Sequence, residues 1–243
     1  MRVWDIHPGY LSRQNLLGQH VEIHAVCSVI TGRKKGYAAH PEILRWVDQP
    51  ARLRRRHDLT VREMALRGYK HASTFEGGCN GERVSRNPAF VDPPARQVAL
   101  LEAKYARRMQ RGRIPLPKRG SDYWAHHAYS LMARGSNLYR DLEAFLKSKP
   151  DKPIAEENDF ILAIISIMEL QVNRPDLEDV LDRLWACLIK AAAAAEKEYY
   201  QSLACYRQQL DYLYHLAVKY DQNFLQHSTV FTESLPDGDP VPS

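Results

Sequence analysis

Apolar residues recur at helical spacing through most of this 243-residue chain, and this pattern limits the chain to helical folds. The clearest helix is predicted over residues 10–31. One face of that stretch is apolar and carries Leu16, Ile23, Cys27 and Ile30. Because Ser12 is a suitable N-cap and Gly32 a suitable stop, we predict an amphipathic helix of about five turns.

The same spacing predicts further helices at 41–47, 51–67, 96–111, 138–146, 157–171 and 176–227. In the second of these we expect the arginines to face outward. The last stretch is too long for one straight helix in a small domain, so we predict a bend or turn near residues 192–200. Residues 229–243 contain three prolines and are predicted to form a disordered tail. No stretch predicts a strand, and the predicted fold class is all-α.

Charge divides the chain into two contrasting parts. Residues 1–120 contain 23 Lys and Arg against 10 Asp and Glu, a balance of +13, whereas residues 121–243 contain 11 against 19, a balance of −8. A region this basic is typical of proteins that bind a polyanion, most often nucleic acid, although a generally basic surface is the alternative. We predict a compact basic helical domain at 1–135, an acidic helical extension at 136–228 and the tail at 229–243.

Several classes of protein are disfavoured by the sequence. The longest apolar run, 160–168, is far too short to span a bilayer, and polar residues and a proline interrupt the start of the chain, where a signal segment would be apolar. The four cysteines are scattered without a CxxC pair, which is typical of free thiols in a reducing compartment. We expect a cytoplasmic protein with no membrane partner.

Glu22 is the most suggestive single residue in the first predicted helix. It lies off the apolar stripe, and Gly18, one turn earlier, leaves space beside it, so this helix could form the wall of an active site or simply carry a solvated carboxylate. His20 and His24 flank Glu22, but in the H-E-x-x-H zinc pattern the glutamate directly follows the first histidine. Here it lies about 200° around the helix from His20. We therefore expect no metal site and no cofactor.

The order of several segments carries a resemblance to a known family. QNLLGQHVEIHAV (14–26) is followed by the Gly- and Lys-rich loop 32–39, a basic helix ending in the sequence RGY (67–69), EAKYARRMQR (102–111) and an aromatic cluster with Trp124. Together they resemble the pyrimidine-dimer DNA glycosylases, small phage-type repair enzymes that also have abasic-site (AP) lyase activity. The resemblance covers about residues 1–130.

This resemblance implies a catalytic pair. In the family the nucleophile is the α-amine of the mature N-terminal residue, and a glutamate on the first helix, 21 positions later, is the acid/base. Counting back 21 from Glu22 gives Met1. Because Arg2 is bulky, we expect Met1 to be retained and to supply the amine. An ordinary α-amine has a pKa of about 7.7–8.0, so a useful fraction is neutral and nucleophilic near pH 7.

The resemblance also implies DNA contacts, with double-stranded DNA containing a damaged or abasic site as the partner and association with the nucleoid when bound. The predicted DNA-binding residues are Arg2, Gln14, Lys34, Lys35, Lys104, Arg108 and Trp124. The chain departs from the family at Val21 and Ala25, which replace arginines that contact DNA, and at Asn15, which replaces a histidine. These departures leave the lesion class open.

Two other functions stay open from the sequence. The first is a non-catalytic nucleic-acid-binding protein of the same fold, which the replacements at Val21 and Ala25 favour. The second is an interaction module, in which residues 136–228 bind a protein partner or a second copy of the chain. A related possibility is that the acidic part covers the basic part and lowers its affinity for DNA.

Overall fold

The structure, a computed structural model, describes residues 1–32, 37–73, 75, 90–233 and 235. These residues fall into two compact units, over residues 1–112 and 113–235. The described residues form eleven α-helices and three short 3-10 turns, with no strand among them, so the predicted all-α class is confirmed. None of the described helices combines the length and apolar character that a membrane crossing needs.

The first unit contains α1 (Arg13–Ile30), α2 (Pro41–Leu44), α3 (Pro50–Leu66) and α4 (Pro94–Arg108). Helix α1 packs mainly against α3, and α2 packs on α1. Their buried core includes Val3, Ile23, Val26, Trp46 and Leu53. The apolar stripe predicted for α1 therefore faces the core, as expected.

The ends of α1 follow its capping residues. The hydroxyl of Ser12 accepts a hydrogen bond from the backbone N–H of Asn15 at 3.4 Å, which satisfies one of the donors that a helix start leaves unpaired. Gly32, directly after the last turn, has a φ of +74°, a left-handed conformation that costs glycine little. Both predicted boundary signals are confirmed.

The second unit contains α5 (Gly120–Met132), α6 (Ser136–Ser148), α7 (Asn158–Ile167), α8 (Arg174–Leu188), α9 (Ala194–Ser202), α10 (Tyr206–Lys219) and α11 (Asn223–Gln226). Helix α5 packs against α6, α7 and α8, and α8 packs against α10. The stretch 176–227 is thus broken by several turns, and the one between α8 and α9 lies close to the predicted break. The breaks let the apolar residues of α10, among them Leu210 and Leu213, become fully buried.

The prediction of a disordered tail from residue 229 is wrong for its first residues. Val230–Thr232 form a 3-10 turn, and Phe231 is 1% exposed. The N–H of Thr229 donates to the carbonyl of His126 at 2.9 Å. The prolines that suggested disorder lie further along, at 236–242, outside the described residues. The apolar pair Val230 and Phe231 decides the structure before them, because its burial offsets the entropy of ordering the segment.

The predicted domain limits at residues 135 and 228 stay predictions. In the structure the two compact units meet in sequence between Gly112 and Arg113, so α5 belongs with the helices that follow it. The physical reason is the packing of α5 on α6, α7 and α8.

Candidate active site

Residues 1–12, which we call the N-terminal arm, have a fixed path through the first unit. The arm is irregular except for a 3-10 turn at Pro8–Tyr10, yet most of its side chains are buried. Ile6, Tyr10 and Leu11 are each 0% exposed. An irregular segment of this kind has no ladder of its own, so its buried backbone groups need partners from elsewhere.

Three arginines supply many of these partners. Arg45 donates to the carbonyl of Val3 at 2.7 Å. Arg56 donates to the carbonyl of Asp5 at 2.5 Å and to that of Ile6 at 3.0 Å. Arg67 donates to three further arm carbonyls, those of Leu11 (2.7 Å), Gly9 (3.1 Å) and Pro8 (3.2 Å). The arm is therefore tied by charged hydrogen bonds to α3 and to the residues that directly follow α2 and α3.

The arginines of α3 thus correct the prediction that they face outward. Arg52 and Arg62 are 8% and 6% exposed, and Arg56 reaches the arm. For Arg56 the physical reason is that the carbonyls of the irregular arm must be paired when they are buried, and a guanidinium group supplies several donors at once. Part of the positive charge counted in the sequence is consequently used inside the unit.

Side-chain amides and a buried ion pair hold the first residues of the arm. Gln19 accepts a hydrogen bond from the N–H of Trp4, and Gln97 accepts one from the N–H of Asp5, each at 2.8 Å. Asp5 also pairs with Arg45 at 2.8 Å. Burial alone lowers the pKa of Arg45, but the carboxylates of Asp5 and Glu42 outweigh it and raise that pKa above its ordinary value.

A close backbone approach fixes the middle of the arm. A Cβ added at Gly112 would lie 2.5 Å from the carbonyl oxygen of Gly9 and 2.5 Å from the carbonyl carbon of Tyr10. Such a contact is far inside the van der Waals limit, so a larger residue at Gly112 would displace the arm. The hydroxyl of Tyr105 adds a hydrogen bond to the carbonyl of Tyr10 at 3.0 Å.

These contacts bring the chain terminus to the carboxylate on α1. The amine nitrogen of Met1 lies 3.9 Å from Oε1 of Glu22, and the Glu22 side chain is 34% exposed. A Cβ at Gly18 would meet no atom within 4 Å, so open space adjoins this surface of α1 as predicted. An amine and a carboxylate at this separation, open to solvent, have the composition of a nucleophile with a proton-transfer partner.

Three of the predicted DNA-binding residues share one electrostatic environment. Burial lowers the pKa of Lys104, and the positive charges of Arg108 and Arg2 lower it further, which reports that the three cations are neighbours. The ammonium group of Lys104 donates to the Asn15 side chain. Arg2 pairs with Asp92 at 2.5 Å and lies over the ring of Trp4. The structure thus groups Arg2, Lys104 and Arg108.

The other predicted contacts have different partners or lie outside the described residues. Gln14 is exposed on α1 and accepts a hydrogen bond from the Gln110 side chain at 2.8 Å. Trp124 belongs to the second unit, where its ring stacks on Tyr139 with 5.1 Å between centroids. Lys34 and Lys35 lie outside the described residues. The roles of all seven residues in DNA binding stay predictions.

Sequence reasoning missed the arginines that hold the arm. One signal was present, because Arg56 and Arg67 are eleven residues apart and eleven residues are close to three full helical turns, which places both on one face of the helix predicted over 51–67. It also missed a group of four histidines, His20, His24, His57 and His71, whose ligand atoms all lie within 4.8 Å of one another. The spacing of His20 and His24, one turn apart, was the only local sign of it.

Comparison with known families assigns the two parts of the chain separately. Residues 1–77 match the family model described as pyrimidine dimer DNA glycosylase. Residues 129–234 match a second model, described as a protein of unknown function (DUF1722). No curated protein and no solved structure matches the chain significantly.

The first match includes the N-terminal arm, α1 and α3, and therefore both Met1 and Glu22. It supports, in general terms, a DNA repair glycosylase with DNA as its substrate. The resemblance of this part of the chain to the pyrimidine dimer DNA glycosylase family is thereby confirmed for residues 1–77.

Proposed function

We propose that the protein is a DNA glycosylase with AP lyase activity that acts on damaged pyrimidines, with the Met1 α-amine as nucleophile and Glu22 as acid/base. The observation that carries this proposal is the distance of 3.9 Å between the Met1 nitrogen and Oε1 of Glu22. The tethering of the N-terminal arm supports it, since the arm's many contacts hold the amine in one place. The family match over residues 1–77 supports it independently.

The proposed reaction begins when the neutral amine attacks C1′ of the damaged nucleotide. The new N–C1′ bond forms as the bond from C1′ to the base breaks, and the base leaves with the electron pair and takes up a proton. Opening of the sugar ring then gives an imine between Met1 and C1′. Glu22 transfers protons at the sugar and stabilises the cationic intermediate through its negative charge.

Strand cleavage follows from the imine by β-elimination. A proton is removed from C2′, and the C3′–oxygen bond breaks with the electron pair leaving on the 3′ phosphate. Water then hydrolyses the imine and releases the amine. This sequence uses only the amine, the carboxylate and water.

The cations near the arm suit the DNA backbone. We propose that Arg2, Lys104 and Arg108 contact phosphates, with Gln14, Lys34, Lys35 and Trp124 as further contacts. Access to C1′ requires the damaged nucleotide to leave the stack, which costs less at a damaged or abasic site. We expect the protein to act in the cytoplasm, on the nucleoid.

Borohydride trapping on a duplex with one abasic site tests the proposal. Borohydride reduces an imine to a stable amine, so wild-type protein should form a covalent adduct that peptide mapping places on the Met1 nitrogen. Glu102→Gln, which removes an exposed carboxylate from α4, should trap as wild type does. Absence of an adduct, with Met1 shown by intact mass to be free and DNA still bound, would contradict the proposal.

One observation favours a non-catalytic nucleic-acid-binding protein instead. Val21 is 66% exposed on α1, at a position where the family resemblance implies an arginine that contacts DNA. This second candidate predicts salt-sensitive binding to undamaged duplex without trapping. The same experiment separates the two functions.

The second unit supports a separate proposal about partners. Phe145, Tyr199 and Phe224 are each more than half exposed, and exposed aromatic side chains are enriched at protein interfaces. We propose that residues 136–228 bind a protein partner or a second copy of the chain. Light scattering of the full chain over a range of concentrations tests binding of a second copy, and a constant monomer mass would contradict it.

A further inference from the structure

Four histidines from three parts of the first unit form a cluster between α1, α3 and the segment after α3. His20 and His24 lie on α1, His57 on α3, and His71 on the segment that follows α3. Their possible ligand atoms all lie within 4.8 Å of one another. The ring centroid of His20 is 4.6 Å from that of His24, 5.3 Å from that of His57 and 4.9 Å from that of His71. The four imidazole rings are therefore close neighbours.

The closest ring nitrogens have the spacing of metal ligands. The Nε2 atoms of His20 and His24 are 3.1 Å apart. Two nitrogens on a tetrahedral zinc ion, each at 2.0–2.1 Å from it, lie about 3.3 Å apart. Across the whole cluster the ligand atoms lie within 4.8 Å of one another. Side-chain shifts of about 1 Å would bring all four to the distances of zinc ligands.

The hydrogen bonding of His57 prepares it as a ligand. Its Nδ1–H donates to Oδ1 of Asp58 at 3.0 Å, which leaves a lone pair on Nε2. That Nε2 is buried and has no hydrogen-bond partner among the described residues. A carboxylate behind a histidine is the arrangement that orients metal-binding imidazoles. The ring of Phe75 stacks on His57 at 4.4 Å and covers this side of the cluster.

The imidazoles are suited to an ion in their neutral form. Neutral rings offer lone pairs at neutral pH. When an ion replaces the hydrogen bond between His20 and His24, the ring that donated through Nε2 moves its proton to Nδ1, and both Nε2 atoms then face the ion.

We propose that His20, His24, His57 and His71 bind one divalent transition-metal ion, with Zn²⁺ as the expected occupant. Imidazole nitrogen suits Zn²⁺ and its transition-metal neighbours, whereas Mg²⁺ and Ca²⁺ prefer oxygen ligands. Four protein ligands complete a tetrahedral shell, which is characteristic of structural sites. The ion would tie α1, α3 and the segment after α3 together.

This site is separate from the proposed catalytic pair. Glu22 lies about 200° around α1 from His20 and from His24, so the carboxylate and the two rings occupy opposite sides of the helix. The ion would brace the helix that carries Glu22 without touching the reaction. The proposal does not rest on the proposed function, because metal binding is measured without DNA.

Metal stoichiometry of the full chain is the first test. Protein stripped with a chelator and incubated with Zn²⁺ should retain one equivalent after desalting, and Co²⁺ should give the intense visible bands of a tetrahedral site. Retention of less than a tenth of an equivalent, without those bands, would overturn the proposal. Mg²⁺ should not be retained after the same treatment.

Variants locate the site. His24→Gln and His71→Gln together should abolish zinc retention, and Asp58→Asn should weaken zinc affinity about 10- to 100-fold. His215→Gln, which removes an exposed imidazole from the second unit, should retain one equivalent. Retention unchanged in the double variant would overturn the assignment to these four histidines.

A melting experiment on wild-type protein guards against variants that fail to fold. Zn²⁺ at 100 times its dissociation constant should raise Tm of the stripped protein by about 5–10 °C. Addition of a chelator should reverse that shift. An unchanged Tm at zinc saturation would contradict a bracing role.

Discussion

Both units use arginines to hold an irregular segment, but the two segments differ in the exposure of the charged group that each carries. In the first unit Arg45, Arg56 and Arg67 hold the N-terminal arm. In the second unit Arg207 donates to the carbonyl of Phe231 at 2.8 Å, and Arg113 donates to that of Ser228 at 3.2 Å. These two carbonyls belong to residues 228–233, which we call the closing segment.

The difference lies in the charged group that each segment presents. The closing segment has Glu233, whose carboxylate meets Arg134 at 2.5 Å with both side chains 4% exposed, so its charge is paired and buried. The arm has the Met1 amine, which faces a carboxylate that is 34% exposed beside open space. Arginine contacts to an irregular segment therefore accompany a buried, paired carboxylate in the second unit. In the first unit they accompany an amine beside an exposed carboxylate. Only the arrangement in the first unit leaves a reactive group open to a substrate.

The largest effect should come from Glu22→Gln, which removes the carboxylate beside the amine and keeps its shape. The rate of cleavage at an abasic site should fall about 10²- to 10⁴-fold, because general acid/base catalysis is lost. DNA affinity, measured by fluorescence anisotropy, should stay close to that of wild type. Glu102→Gln is the matched control, and equal cleavage rates in the two variants would remove Glu22 from the mechanism.

Breaking one tether in each unit should separate stability from activity. Arg67→Met and Arg134→Met each remove the arginine from a buried ion pair, with Glu63 in the first unit and with Glu233 in the second, and each should cost about 3–5 kcal/mol in urea unfolding. Borohydride trapping under folding conditions should fall only in Arg67→Met. Equal trapping in both folded variants would show that the arm's tether does not position the amine.

Acid should weaken the second unit through His127. Burial, with smaller effects from His126 and Arg134, lowers the pKa of His127 to about 3 from an ordinary value of 6.5. The unfolded chain therefore binds the proton first as pH falls. Stability is complete above pH 6.5 and is lost toward pH 3, by up to ~1.4 kcal/mol per pH unit.

Thermal melts between pH 7 and pH 4 measure this loss. His127→Gln should show a shallower dependence of Tm on pH than wild type, and His215→Gln, at an exposed position, should not. Identical slopes in wild type and His127→Gln would contradict the assignment.

The smallest effect should come from Val21→Arg, which adds a cation to the exposed surface of α1. One further phosphate contact should tighten duplex binding about threefold and steepen the salt dependence by about one unit of slope. Val218→Arg places the same charge at a half-exposed position of the second unit and is the control. Equal gains in both variants would indicate a general charge effect rather than a DNA-facing surface on α1.

Local patterns predicted the parts of the molecule that depend on neighbouring residues. Ser12 and Gly32 bound α1. The pairing of Met1 with Glu22 came instead from the family resemblance, which supplied the spacing of 21 positions. Contacts between distant residues were not predictable in this way. Arg45 reaches Val3, and His57 meets His20, through tertiary packing that no local period encodes.

The closing segment shows the same limit. Its composition, with prolines after it, suggested disorder, but Phe231 is buried by helices that lie elsewhere in the sequence. The prediction that the arginines of α3 face outward is wrong for a related reason. It treats every arginine as surface, whereas burial of arm carbonyls turns several of them inward.

The tethered arm has a consequence for the effective concentration of the amine. A free chain end samples a large volume, but a nitrogen held near one carboxylate needs no further ordering to react, and such pre-organisation can be worth several orders of magnitude in rate. The same fixation makes the terminus intolerant of extension. A peptide fused ahead of Met1 would turn the amine into an amide, which is not nucleophilic, while leaving every arginine contact to the arm in place.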